Sequence, residues 1–223
     1  MNIQVIFEDK NILALNKPSG LVVHPFPDSD EYTLLDFLKE KYPDTFNIKN
    51  EKILQNSLVL NLGGVVHKLD RETSGIIIVA KNEKSFLELQ KLFQERKIQK
   101  TYVAKVSGEI AEKEFIIDAP LGREKKDYRQ VANPTNPRGE LREAITHVNV
   151  LDIKDESSLV ELKPVTGRTH QLRAHMKYIN HSILGDKVYG DKNDGYERLM
   201  LHAKKIEFEL GMEKYSFETE IDW

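Results

Sequence analysis

The sequence predicts an α+β fold, with a mixed, mostly antiparallel central sheet and helices flanking it. Two observations lead there. Strand-like apolar segments lie close together in places and are separated by helical segments in others, which departs from a strict βαβ alternation. Between them stand prolines and glycines of the kind that reverse a chain. A chain of 223 residues fits one domain or one two-lobed catalytic unit, here taken as a single domain over 1–223. At that length about 70% of the unfolded surface is buried, so a core forms without covalent staples. The composition, 39% apolar and 31% charged, is that of a folded globular chain.

The elements follow in order. Residues 3–7, 12–16 and 21–24 read as strands, divided by Glu8-Asp9-Lys10 and by the turn Lys17-Pro18-Ser19-Gly20. Residues 33–42 read as a helix, with Leu34, Leu35, Phe37 and Leu38 clustered, Thr33 as its cap and Pro43 as its stop. Residues 44–58 are polar and carry no clear period. Residues 76–80 form a branched apolar run, a buried strand. Asn82 then caps a helix over 83–97, where Phe86, Leu89 and Phe93 recur at helical spacing and Arg96 and Lys97 suit the C-terminal dipole. Residues 100–107 alternate as a strand. Residues 119–142 contain Pro120, Gly122, Pro134, Pro137 and Gly139 and read as a long loop or a loose hairpin. Residues 144–153 and 159–162 read as strands. A turn at Thr166-Gly167-Arg168 leads into a helix over 170–178 capped by Thr169, and strands near 199–202 and 206–210 close the chain.

Several function classes drop out. No cysteine is present, which excludes disulfides, thiolate nucleophiles and cysteine-ligated zinc. The longest strictly apolar run is residues 76–80, far short of the roughly 18 needed to span a membrane. Glu8, Asp9 and Lys10 stand where a signal peptide needs apolar residues, so a cytoplasmic protein is expected. No glycine-rich phosphate loop appears. The net charge of −3 hides a pattern: residues 61–105 hold nine basic and five acidic side chains, and residues 161–178 four and one. If these windows meet, they form a basic surface on an acidic body; if not, each is a solvated helix face.

Two segments could carry chemistry, and both lie in the basic windows. In His67-Lys68-Leu69-Asp70-Arg71-Glu72-Thr73-Ser74-Gly75, an aspartate beside a strand is flanked by cations that favour its ionised form. Such a carboxylate serves as a nucleophile or base, or else as a turn residue capping backbone groups. In Thr166-Gly167-Arg168-Thr169-His170-Gln171-Leu172-Arg173-Ala174-His175, Arg168 sits at a turn from which a guanidinium can grip a carboxylate or phosphate. Arg173 and His175 are then polar groups for an anionic polymer, or part of a solvated basic face. His170 and His175 point about 140° apart on a helix, unlike metal ligands four apart, so no metal is expected. Asp70 and Glu72 as a glycosidase pair fit poorly, because this setting suits one anion and not a protonated partner.

These residues resemble a family. His67 to Ala80 is similar to the signature of the RluA-type pseudouridine synthases: histidine, a basic residue, leucine, the essential aspartate, then threonine-serine-glycine and an apolar strand. Asn16-Lys17-Pro18-Ser19-Gly20-Leu21-Val22-Val23-His24-Pro25 resembles the family's N-terminal strand-turn. Lys100-Thr101-Tyr102-Val103-Ala104-Lys105-Val106-Ser107-Gly108 resembles its tyrosine motif, and Gly167 to His175 its arginine motif. Gly185-Asp186-Lys187-Val188-Tyr189-Gly190 and Leu201-His202-Ala203 also match, so the resemblance runs from about residue 10 to about 210.

The resemblance implies a sheet split by a central catalytic cleft and the isomerisation of uridine to pseudouridine in a ribosomal or transfer RNA stem-loop, without cofactor or metal. It implies Asp70 as the catalytic aspartate, Tyr102 as the ring over the target base and Arg168 as the partner of Asp70. It places His67, Lys68, Arg71, Thr73, His170, Gln171, Arg173 and His175 as RNA-binding residues. A monomer is expected. Because the catalytic pattern begins within about ten residues of Met1, the small N-terminal RNA-binding domain of some members is expected to be absent. The family usually has arginine where Lys68 stands; lysine keeps the charge but not the plane that stacks in the gap left by a flipped base. The alternatives are a non-catalytic RNA-binding module of the same fold and a carboxylate-based nucleosidase or glycosidase.

Overall fold

A computed structural model of the chain describes residues 3–25, 29–53, 59–124, 129–191 and 194–223, with Glu124 described by its backbone. Residues 54–58 and 125–128, inside the polar stretch and the loop expected from the sequence, lie outside the described residues. The fold is α+β, with a largely antiparallel sheet, as expected. The chain divides into two compact units, Met1–Ile98 with Lys205–Glu220, and Gln99–Lys204 with Ile221–Trp223.

In the first unit, β1 (Gln4–Glu8) pairs antiparallel with β2 (Ile12–Lys17). β2 pairs antiparallel with the strand over Ser74–Ala80, in a register that sets Lys17 opposite Gly75 and Ile12 opposite Ala80. The side chains of Ile12, Leu13, Ala14 and Leu15 are all fully buried, so both faces of β2 are covered. That is why this segment reads as a continuous apolar run and not as an alternation. Ile12, Ala14, Ile76 and Ile78 share a core with Phe86, Leu89, Ile206, Phe208 and Phe217.

Two helices sit where the sequence placed them. α1 (Leu34–Lys41) starts at Thr33, whose hydroxyl accepts the Asp36 N–H while Asp36 Oδ2 accepts the Thr33 N–H at 2.9 Å. This reciprocal cap satisfies two donors that a helix start leaves open. A 3-10 turn, Pro43–Asn47, follows. α2 (Glu83–Gln94) starts at Asn82, whose side chain accepts the Ser85 N–H at 2.9 Å. Residues 21–24 form no strand; Val22 makes an isolated bridge to Thr33. A two-stranded ribbon, β3 (Glu51–Ile53) and β4 (Val59–Asn61), begins within the polar stretch and ends just after it, and Ser74–Ala80 is then β5.

In the second unit, β6 (Gln99–Ser107) and β7 (Glu114–Asp118) precede a small three-stranded sheet, β8 (Leu121–Glu124), β9 (Val131–Ala132) and β10 (Pro137–Arg142), where a long loop or a loose hairpin was expected. β11 (Ile145–Lys154) and β12 (Ser157–Pro164) make a hairpin through Asp155 and Glu156, both at positive φ (53° and 54°). Such a turn matches the strand twist. The order is β6-β12-β11-β7. α3 (Gln171–Tyr178) follows. β13 (Leu201–Leu210) runs unbroken where two strands were expected; from Lys205 on it belongs to the first unit, as does β14 (Glu213–Glu218), which pairs with that part of it. Among the described residues no helix is long and apolar enough to cross a membrane.

The Thr33 cap gives a stability prediction. Thr33→Ala should lower unfolding free energy by about 1 kcal/mol, read from urea denaturation at neutral pH. An unchanged midpoint would show that α1 is held by its buried leucines without help from the cap.

Candidate active site

The first unit positions Asp70. The end of β2 lies beside the start of β5, so the turn after β2 meets the turn before β5. Lys17 is fully buried, and its Nζ donates to the carbonyls of Pro18 (3.0 Å), Leu21 (2.8 Å) and Arg71 (2.9 Å). Burying a cation is unfavourable unless its donors are satisfied, and three carbonyl oxygens match the donors of an ammonium group. The Gly20 N–H donates to the Arg71 carbonyl at 2.9 Å, and the Ser19 hydroxyl to the Glu72 carbonyl at 2.7 Å. Gly20 adopts φ +85°, a left-handed conformation that suits glycine. Within the braced turn the Thr73 N–H donates to the Asp70 carbonyl at 3.1 Å. Asp70 is half-buried there, between buried Leu69 and exposed Arg71.

The neighbours of Asp70 have distinct fates. Lys68 is exposed and Leu69 is buried, the alternation of an extended segment. The Arg71 guanidinium lies 2.6 Å from Glu31 and 3.6 Å from Glu72 at the surface. His67 accepts the Ile78 N–H on Nε2 at 2.9 Å and stacks on Phe93 with centroids 4.8 Å apart. One ring face and one nitrogen therefore hold β5 in place. Thr73 is buried. His67 and Thr73, expected to bind RNA, are thus both part of the frame around the turn.

The second unit positions Tyr102 and Arg168. Tyr102 lies on β6 opposite Leu162, half-buried and packed against the unit's core. Arg168 is half-buried in the turn before α3, and its Nε donates to the Glu143 carbonyl at 3.0 Å. Gln171 fixes that turn. Its Oε1 accepts from the Arg168 N–H (3.1 Å) and the Thr166 hydroxyl (2.7 Å). Its Nε2 donates to the Ile145 carbonyl (3.0 Å) and to Thr146 Oγ1 (3.1 Å). Thr146 in turn donates to His175 Nδ1 at 2.9 Å, and His175 Nε2 donates to the Ala119 carbonyl at 2.9 Å. The carbonyl fixes the tautomer, because it can only accept. Burial pushes the His175 pKa down, so the ring is neutral.

Gln171, Arg173 and His175, expected to touch RNA, are engaged inside the fold. All three side chains are buried, and α3 is buried from Gln171 through Met176. Arg173 makes a bidentate pair with Asp186, 2.7 Å on both bonds, and lies over the Tyr189 ring. Asp186 is buried, which alone raises its pKa, but Arg173 and the N–H groups of Tyr189 and Val188 bring it below the usual value. His170, and not Thr169, stands at the start of α3, in the left-handed conformation (φ 54°) and with no side-chain cap. Its Nδ1 lies 3.1 Å from the Tyr189 hydroxyl.

Four residues around these turns went unassigned from sequence: Lys17, Lys100, Asp186 and Tyr189. All lie within stretches that matched the family pattern, which is the signal that could have found them. Lys100 Nζ stands 3.7 Å from where a Cβ on Gly167 would be, and burial pushes its pKa down.

The sequence profile described as RNA pseudouridylate synthase matches residues 11–178. A protein named ribosomal large subunit pseudouridine synthase D from Borreliella burgdorferi is 38% identical over 215 residues, 96% of this chain and 63% of that protein. An uncharacterised RNA pseudouridine synthase of Bacillus subtilis is 36% identical over 94% of this chain and 65% of its own length. The chain thus spans slightly less than two thirds of these relatives. The solved structure of human RNA pseudouridylate synthase domain containing 1 superposes with a TM-score of 0.80 at 26% identity, covering 98% of this chain and 83% of that one.

The buried histidines set a pH dependence. Burial lowers the pKa of His175, and also of His24 and His202. A histidine with a lowered folded pKa binds protons more readily when unfolded. Its stabilising contribution is therefore full above the unfolded value, about 6.5, and is lost as pH falls below it. Urea midpoints should fall between pH 7.5 and 5. His175→Gln should be less stable at pH 7.5 but show a smaller fall. A parent midpoint that stays flat across this range would contradict the neutral assignment.

Proposed function

The chain belongs to the RNA pseudouridylate synthase family, of the RluA type, and from that premise we propose that it isomerises particular uridines of structured ribosomal or transfer RNA to pseudouridine. In this reading Asp70 is the catalytic carboxylate, Tyr102 is the ring that stacks on the target base and Arg168 is the cationic partner of the reaction. The observation that carries the reading is the Asp70 turn. A half-buried aspartate stands on a turn braced by Lys17, Ser19 and Gly20, inside the sequence pattern the family shares. A turn fixed from several sides holds a reactive group in one geometry, which is what enzymic positioning requires.

The chemistry is self-contained. The C1′–N1 glycosidic bond breaks, the uracil turns and a C1′–C5 bond forms. N1 gains a proton and C5 loses one, so no atom or electron enters or leaves. The reaction calls for no redox group, and we propose that it runs without cofactor or metal. Three routes use the same carboxylate: addition to C1′, removal of the 2′ proton to give a glycal, or addition to C6 of the base. Each needs an ionised carboxylate, which a neighbouring cation favours.

A stacked, paired uridine has to leave the helix first, at a cost of a few kcal/mol. Stacking on Tyr102 offsets roughly 1–3 kcal/mol of that. Lys68 is exposed and suited to contact a phosphate without stacking. We propose that the protein works in the cytoplasm.

Asp70→Asn tests the assignment, since it keeps shape and removes the charge. RNA binding and the urea midpoint should match the parent, while conversion of uridine falls to the detection limit. Conversion by the Asn variant above a protein-free blank would remove Asp70 from the reaction.

A further inference from the structure

The small sheet β8–β10 carries a charge pattern that the isomerisation does not use. Residues 121–142 hold six basic and three acidic side chains, whereas residues 106–120 and 143–160 together hold two basic and eight acidic. A positive island thus sits in an acidic stretch.

The structure sharpens the point. Arg138 on β10 is paired directly with Arg123 on β8. Paired positions share one face, with Cβ atoms about 5 Å apart, and like charges there destabilise the ribbon. Both side chains are exposed, and among the described residues neither guanidinium has a hydrogen-bond or ion-pair partner. The register is irregular between Arg138 and Arg142, and Gly139 within it takes φ +81°. Such bulges re-aim side chains. The base of the ribbon, by contrast, is anchored. Leu121 and Ala132 are buried, the Asn133 N–H donates to the Pro120 carbonyl at 2.8 Å and the Gln130 N–H to the Tyr189 hydroxyl at 3.1 Å. The two arginines therefore project from a fixed platform.

We propose that Arg123 and Arg138 form a phosphate clamp for the sugar–phosphate backbone of an RNA. An anion between two guanidinium groups turns their repulsion into two sets of charge-assisted hydrogen bonds, and the planar fork matches phosphate oxygens. The clamp positions the RNA and reads no sequence. It rests on the reading that the substrate is RNA.

Two variants test it: the double variant Arg123→Gln/Arg138→Gln, and Arg138→Glu, which places an opposite charge across from Arg123. Binding of a fluorescein-labelled stem-loop RNA is titrated over a range of salt concentrations. The double variant should bind about tenfold more weakly at low salt, with a salt slope lower by about one to two units, as expected for two lost phosphate contacts. Arg138→Glu should bind more weakly still, yet melt at a higher temperature than the parent, because repulsion becomes attraction. That combination separates lost binding from lost folding. Parent-like affinity and slope in either variant would overturn the clamp, and if conversion of uridine is normal the synthase reading stands without it. If instead the parent binds RNA but converts no uridine, the synthase reading fails, while a lowered slope in the double variant still supports the clamp.

Discussion

The Asp70 turn depends on one buried ammonium group. Lys17 is enclosed at the end of β2 with its donors on the carbonyls of Pro18, Leu21 and Arg71. Two of those carbonyls belong to its own turn and one to the turn of Asp70. The cation can be buried only while both turns keep their shape, and the shape persists only while the cation is there. Without the cation, each buried carbonyl left unpaired costs about 1–3 kcal/mol. The second unit follows the same logic with a neutral group. Gln171 uses both ends of its amide, and through Thr146 it is joined to His175 and the Ala119 carbonyl. In both units a fully bonded polar group inside the fold holds a half-buried charged residue at the end of an element.

Much of the fold was legible because local chemistry and tertiary packing agree. Thr33 and Asn82 cap their helices as read, since the cap is a contact within one turn of chain. β2, β5 and β6 are apolar enough to be seen directly. The misreadings lie where tertiary context decides. Pro134, Pro137 and Gly139 argued for a long loop or a loose hairpin, and β10 is an outer strand of a three-stranded sheet, where proline is tolerated. Strands near 199–202 and 206–210 were expected to be separate, but β13 carries Lys204 and Lys205 as partly exposed residues in one strand. Thr169 is a good cap by type, but the chain enters α3 through His170 in a left-handed conformation instead.

The candidate site was legible as residue types and not as placement. Asp70, Tyr102 and Arg168 stand at turns or on a strand, half-buried, in positions a functional group can use. The polar residues of α3 were harder. Gln171, Arg173 and His175 read as a basic, RNA-facing surface because charge on a helix says nothing about which face is covered. Here the helix is covered nearly all round, so its polar side chains became internal braces, with Asp186 as the counter-ion for Arg173. Charge summed over long windows hides local pattern: residues 106–160 are net negative, yet they contain the basic ribbon of residues 121–142.

We propose that a braced, half-buried aspartate makes this chain an RNA uridine isomerase. The most direct measurement is pseudouridine mapping at single-nucleotide resolution on total RNA from cells with the gene intact, with it deleted, and with the deletion complemented by the parent or by Asp70→Asn. The account predicts one or a few uridines in structured ribosomal or transfer RNA that are pseudouridine in the intact cells, lost on deletion, restored by the parent and not by the Asn variant. An identical map in intact and deleted cells would contradict it.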